Sequence, residues 1–299
     1  MRAALVKGPV AGVFWMVVTG VLFVGVTAMV KHLGARIPAA ESAFLRYAMG
    51  LVFLIPIIGT LRRTRFDRRT VMLFGVRGFV HAMGVILWFF AMTRIPIAEV
   101  TAMNYLSPVY VTLGAALFLG EKLAFRRIAA VIVALIGALI VLRPGLRELD
   151  EGHIAMLATA VLFAIGYLVA KVVADEQEPV VVVAMLSIVV TISLAPFAAL
   201  HWVTPTLYEL VWLFGVAALA TAGHFTMTLA FRAAPVTVTQ PVTFLQLVWA
   251  SVLGVVVFGE MLDGWVILGG VVILGSVMFL TWREAVLKRR AARPPDVPL

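Results

Sequence analysis

Ten apolar segments, each long enough to cross the hydrocarbon layer of a bilayer, divide this sequence almost from end to end. They fall at about 10–30, 40–59, 71–93, 97–119, 124–142, 153–173, 180–200, 209–230, 237–258 and 263–282. A spanning helix needs roughly 17–25 predominantly apolar residues. Backbone N–H and C=O groups have no water to bond inside lipid, so each segment must satisfy them internally, as a helix. The period-two alternation of an outer-membrane barrel strand is absent. Composition leaves no soluble alternative. With 63% of residues hydrophobic and a mean hydropathy of +1.08, a fold of 299 residues has too little interior to hide its apolar surface. The expected fold class is an all-α integral membrane protein of ten transmembrane helices. The run Val10–Val30 follows Arg2 and Lys7 with no small-residue cleavage site, and reads as an uncleaved first helix.

The segments repeat. Thr19, Val21-Leu-Phe23 and Lys31 match Thr159, Val161-Leu-Phe163 and Lys171 at an offset of 140, as do Pro56 with Pro196 and Phe74-Gly-Val76 with Phe214-Gly-Val216. From Phe90–Pro96 against Ala230–Pro235 onward the offset is 139, which also brings Gly120-Glu121 onto Gly259-Glu260. Each copy holds five spans, and an odd number turns the second copy upside down relative to the first. The expected units are a first repeat over 1–148, a second, inverted repeat over 149–287, and a basic tail over 288–299. Pro294, Pro295 and Pro298 mark that tail as disordered, lying against anionic lipid.

Charge sets the orientation. With both termini in the cytoplasm, 17 of the 24 Lys and Arg lie on the inner side, five lie outside, and Arg46 and Arg77 fall within helices. The loop Lys171–Glu178 dissents, being acidic but inside. A net charge of +9 would point to nucleic acid in a soluble protein; here the basic residues sit between spans, so lipid is the expected partner and nucleic acid is not. The chain has no cysteine, which removes disulfides and thiolate metal sites. It has no P-loop, no H-E-x-x-H and no nucleophile elbow. No cofactor, metal or catalytic residue is expected. An intramembrane enzyme and a channel remain remote alternatives, the latter lacking any filter sequence or repeated polar ring.

Phe44-Leu-Arg46, Trp88-Phe-Phe-Ala91 running into Ile95-Pro96, Pro108 through Gly120-Glu121, Arg143-Pro-Gly145 and Phe258-Gly-Glu260 together resemble the drug/metabolite transporter superfamily, in its ten-helix EamA-type branch. The resemblance covers nearly the whole chain. It implies a multi-pass protein of the bacterial inner membrane, with a central cavity lined by helices 1, 3, 4, 6, 8 and 9 and with helices 5 and 10 at the periphery. It implies a small-molecule substrate. Export of amino acids or related metabolites is the first reading, and uptake of a nucleoside-like cofactor of the S-adenosylmethionine or riboflavin type is the alternative. Direction, coupling ion and oligomeric state are not legible.

Polar groups inside a membrane are costly, about 2.5–3.5 kcal/mol for a central charge on insertion scales, so each is a functional candidate. Arg77, His81, Gly84 and Trp88 recur at helical spacing on one face of helix 3. His81 and Trp88 lead the candidate cavity lining. The bland counterpart has His81 bonding a backbone carbonyl, Trp88 facing lipid and Arg77 snorkelling to the surface. Thr101, Asn104 and Pro108 form a polar stripe on helix 4, with Tyr105 beside it. The repeat sets Thr101 and Asn104 opposite Gln240 and Thr243 of helix 9. That stripe serves either substrate recognition or interhelical bonding, worth about 0.6 kcal/mol on average. Tyr167, His224 and Gln246 are the second-copy candidates. Glu99 is expected to pair with Arg46 or Arg94, or to relay protons. Arg46 either meets a substrate carboxylate or braces helix 2. The two Gly-Glu pairs read as helix-ending turns, and glycines such as Gly269 as points of close helix approach. The mixed lining suits a neutral or zwitterionic, partly apolar solute.

Overall fold

The computed structural model describes residues 8–118, 125–146, 148–174, 177–234 and 239–291. All ten segments are helical. They are α1 (Pro9–Leu33), α2 (Ala39–Gly50, extended by a 3-10 stretch Leu51–Ile57 and a last turn Ile58–Arg63), α3 (Arg68–Met92) and α4 (Ile97–Asn104 and Ser107–Phe118). Then come α5 (Phe125–Leu142), α6 (Glu151–Ala174), α7 (Pro179–Leu200), α8 (Leu207–Ala233), α9 (a 3-10 turn Gln240–Thr243, then Phe244–Phe258) and α10 (Gly264–Ala291). Seven of them exceed spanning length by themselves; α4 is split, and α5 and α9 are shorter apolar helices.

Local chemistry explains the boundaries. Asp67 caps α3, accepting the Thr70 N–H at 3.0 Å. Thr206 and Glu209 form a reciprocal capping box at the start of α8. Pro38 and Pro96 sit just before α2 and α4, where the missing N–H breaks no helical bond. Gly259 ends α9 in the left-handed region, φ 63°, and lets the Glu260 N–H reach the Gly254 carbonyl at 3.0 Å. Pro56 converts the middle of α2 to 3-10 geometry, whereas its counterpart Pro196 sits in an unbroken α7. Of the sequence features above, Gly120-Glu121, the loop at 122–124, Pro235 and residues 292–299 lie outside the described residues. Helix takes up 288–291, which sequence reading had given to a disordered tail.

The packing carries the inverted repeat. Exchanging α1–α5 for α6–α10 turns the two most extensive helix pairings, α1 with α8 and α3 with α6, into each other. It likewise exchanges α1/α9 with α4/α6 and α2/α8 with α3/α7, and leaves α2/α7, α4/α9 and α5/α10 as self-paired contacts across the axis. The detail follows suit. Thr19 and Thr226 hydroxyls meet at 2.9 Å between α1 and α8, and Thr159 donates to the Gly84 carbonyl at 3.3 Å between α6 and α3. Phe163 lies against Gly84, and its repeat partner Phe23 lies against Gly223. With five spans per half, this pseudo-twofold axis lies in the membrane plane.

The two ends of the bundle differ. One, the terminal face, carries residue 8 and the end of α10. The other, the distal face, carries the α1–α2 and α3–α4 junctions. Every described ion pair joins the two halves there: Lys31 with Glu260, Arg36 with Glu209, Arg94 with Glu151, Arg143 with Asp263 and Glu99 with His153.

Candidate substrate cavity between the two halves

Three acids, Glu41, Glu99 and Glu209, each occupy the third residue of their helix, α2, α4 and α8, where carboxylates are favoured by the helix dipole. Each also reaches into the opposite half. Glu41 accepts the Val203 N–H at 2.9 Å, Glu99 meets His153 Nε2 at 2.5 Å, and Glu209 binds Arg36. The expected partner of Glu99, Arg46 or Arg94, is therefore corrected to His153. Arg94 instead stacks over Phe90 at 3.6 Å and faces Glu151. His153 Nδ1 lies 3.0 Å from the Asp150 N–H and 3.2 Å from the Asp150 carbonyl, so the α6 start orients the ring towards Glu99. Glu260, expected to be only a turn residue, binds Lys31 and accepts the Ile97 N–H, while Lys31 donates to the Ile95 carbonyl at 3.0 Å. Glu41, His153 and the Lys31–Glu260 pair are not among the sequence candidates; an acid third from the start of α2, α4 and α8, three of the five distal helix starts, is the available signal.

Below this rim the polar side chains include arginines, imidazoles, amides and phenols besides threonine hydroxyls. From α2, Arg46 is 7% exposed, and its guanidinium stacks over the Tyr47 ring at 3.9 Å. The Tyr47 hydroxyl meets His81 Nε2 at 3.0 Å. On α3, the face Arg77–His81–Gly84–Trp88 is a seam against α6 and α7. Arg77 donates to the Val182 carbonyl at 3.0 Å, His81 stacks on Phe163 at 4.8 Å, and Trp88 meets the edge of the same ring at 6.3 Å. Trp88 Nε1 is buried with no hydrogen-bond partner among the described residues. Across the axis, His224 packs its edge on Phe23 at 5.2 Å. Arg46, Tyr47 and His81 thus form one chain of contacts, and His224 stands within electrostatic range of both arginines. Tyr167, one turn along α6 from Phe163, stands within reach of the Arg77 charge and keeps 52% of its surface open. His224 is exposed as well. Tyr167 and His224 therefore present open surface at the depth of the arginines. Helix 2, absent from the expected lining, brings Arg46 and Tyr47 to the same region, both buried at 7% exposure.

The polar stripe of α4 divides. Thr101 is buried and donates to the Ile97 carbonyl of its own helix at 2.9 Å. Tyr105 reaches across the axis to the Thr243 carbonyl at 2.7 Å. Both helices are interrupted at equivalent places, α4 at residues 105–106 and α9 at Thr243–Phe244, and Tyr105 bonds a carbonyl beside the second break. Thr101 and Tyr105 are thus committed to holding helices. Asn104 and Gln246 make no hydrogen bond to other described residues, and neither amide is among the buried unsatisfied groups. Gln246 lies against Gly20 of α1. Gln240 sits in the 3-10 turn that begins α9. A separate pocket of about 270 Å³ opens at the distal face between the α1–α2 junction and the end of α3, touching Ser42, Phe90 and Arg94.

The free amide of Asn104 yields a prediction. Asn104→Leu should leave thermal stability within about 1 kcal/mol, because no protein hydrogen bond is lost. It should change the half-saturation concentration or solute range in transport measurements; unaltered kinetics would show the amide to be filler.

A family model described as the EamA-like transporter family matches residues 10–143 and 150–282, one match in each half. An S-adenosylmethionine uptake transporter of Rickettsia bellii is 24% identical over 91% of this chain and 94% of its own length. A riboflavin transporter of Rhizobium johnstonii is 29% identical, covering 95% of each chain. A pseudopaline exporter of Pseudomonas aeruginosa is 27% identical over 91% of this chain and 96% of its own. One solved crystal structure superposes with a TM-score of 0.59 at 18% identity, covering 95% of this chain and 99% of that one, a likeness of fold.

Proposed function

From the premise that the chain belongs to the EamA-like transporter family, we propose that it is a secondary transporter that moves a small organic metabolite by alternating access. The observation that carries this reading is the pairing of two inverted halves, with α4 and α9 broken at equivalent points on either side of the axis. The halves rock about the cavity, opening it first to one face and then to the other. A gradient or the solute itself supplies the driving force. Export of amino acids or related metabolites across the inner membrane, with both termini cytoplasmic, fits the balance of Lys and Arg and places the distal face outside. A second reading, uptake of S-adenosylmethionine or riboflavin, is favoured by the full-length likeness to transporters of those compounds. Asn104, Gln246, His81, His224, Tyr167 and Arg46 are the proposed solute-facing groups. Trp88, Gln240 and Thr243 lie at the edge of the set.

Purified protein in liposomes tests this. Saturable flux with counterflow is expected, and His81→Ala should cut it at least tenfold while the protein still inserts and folds, because His81 ties α2 to α3 at the cavity wall. Unsaturable ion flux at high rate would instead identify a channel. Full flux in His81→Ala would remove that residue from the site.

A further inference from the structure

The described lysines and arginines of the distal face, Lys31, Arg36, Arg94 and Arg143, each face a carboxylate of the other half. Arg46 and Arg77, deeper in the bundle, face none among the described residues. Arg77 donates to a single backbone carbonyl, and Arg46 is held only by the face of Tyr47. A stacked guanidinium keeps its N–H edge free for a ligand, and that edge matches a carboxylate in geometry. Nor does the sequence offer an acid to neutralise them. Among the described residues every Asp and Glu lies in a loop or within a turn of a helix end, except Glu284 two turns before the end of α10 at the terminal face. The interior therefore carries two uncompensated positive charges beside two imidazoles, in a medium where each such charge is expensive.

We propose that the cavity selects solutes with a net negative charge, holding a carboxylate between Arg46 and the imidazoles of His81 and His224 and seating the organic body against Phe23 and Phe163. This rests on the reading of the region between the halves as the solute site, and among amino acids and related metabolites it favours the anionic ones over neutral, zwitterionic or cationic solutes. Phe23 and Phe163 are repeat-equivalent rings, each touching one of the two histidines. The scaffold is thus symmetric while the charge is not: the repeat partner of Arg46 is Leu186, so the second half contributes no matching arginine.

The test uses three probes that share a phenylpropyl skeleton and differ in charge: 3-phenylpropionate, L-phenylalanine and L-phenylalaninamide. Binding is read as thermal stabilisation of the whole detergent-solubilised protein. The expected order is anion, then zwitterion, then cation, with the anion bound about tenfold or more tightly than the cation. Arg46→Gln should abolish the difference, and Arg46→Lys, which keeps the charge, should retain most of it. No stabilisation by 3-phenylpropionate, equal stabilisation by all three, or an unchanged order in Arg46→Gln would overturn the proposal. Because binding is measured without vesicles, anion preference without counterflow would sink the transport reading alone. Counterflow of neutral or cationic solutes only would sink the anion preference alone.

Discussion

Lys31→Glu is expected to abolish transport, and adding Glu260→Lys to it to restore a minor part. The Lys31–Glu260 pair spans the two halves at the distal rim, with side chains only 18% and 12% exposed. Losing one member of a buried pair costs about 3–5 kcal/mol, largely because the other charge is left without compensation. Reversal adds repulsion between two carboxylates. If the halves rock, this contact must break to open the distal face and reform to close it, so a protein that cannot form it cannot complete the cycle. The swapped pair restores attraction but not the second layer of bonds. A lysine at 260 cannot accept the Ile97 N–H, and a glutamate at 31 cannot donate to the Ile95 carbonyl. Rescue should therefore be partial. Counterflow in liposomes checks the rate. Because the chain has no cysteine, a single Ser42→Cys beneath the distal face reports opening by its reaction with an impermeant maleimide. Labelling should be faster in Lys31→Glu. Wild-type flux in that variant would show the pair to be decoration.

The spans, their number and their two-copy order could be read from the chain, because lipid imposes a simple requirement on every segment and the repeat survives at matched positions such as Phe23 and Phe163. The junction between α3 and α4 was also locatable, since Pro96 permits a helix start there. What could not be read was pairing across the axis. Glu99 has two arginines at plausible depth, yet its partner is His153, fifty-four positions away, placed by the α4–α6 contact of the fold. Hydrophobic period identifies a face but not its neighbour. The Arg77–Trp88 face was correctly grouped, and it turned out to be largely a seam with α6. The role of a hydroxyl is equally hidden. Thr101 and Asn104 share a stripe, but Thr101 satisfies itself on its own helix and Asn104 does not.

The cavity and the scaffold make different demands, and helices α5 and α10 separate them. These two helices pack chiefly on each other, away from the cation cluster. Their crossing is governed by backbone approach. A Cβ placed on Gly269 would stand 2.6 Å from the Gly137 carbonyl oxygen and 3.0 Å from the Val141 nitrogen. A Cβ on Gly137 would stand 2.9 Å from the Gly269 oxygen. Side chains relieve overlap by changing rotamer, but backbone atoms cannot, and helices in lipid adhere through such close packing. Gly269→Leu should therefore cost about 3 kcal/mol or more, at or beyond the upper end of the usual overpacking range. Gly275 lies on the same helix with nothing within 4 Å of its added Cβ. Gly275→Leu should be neutral or slightly stabilising, since a helix interior favours leucine over glycine. Thermal unfolding of the two purified variants decides the matter. Equal melting temperatures would mean that α5 and α10 do not rest on this crossing. A large drop in Gly269→Leu, with an unchanged ratio of binding constants for charged probes in whatever fraction folds, would show that the outer pair holds the bundle while the inner cations choose the solute.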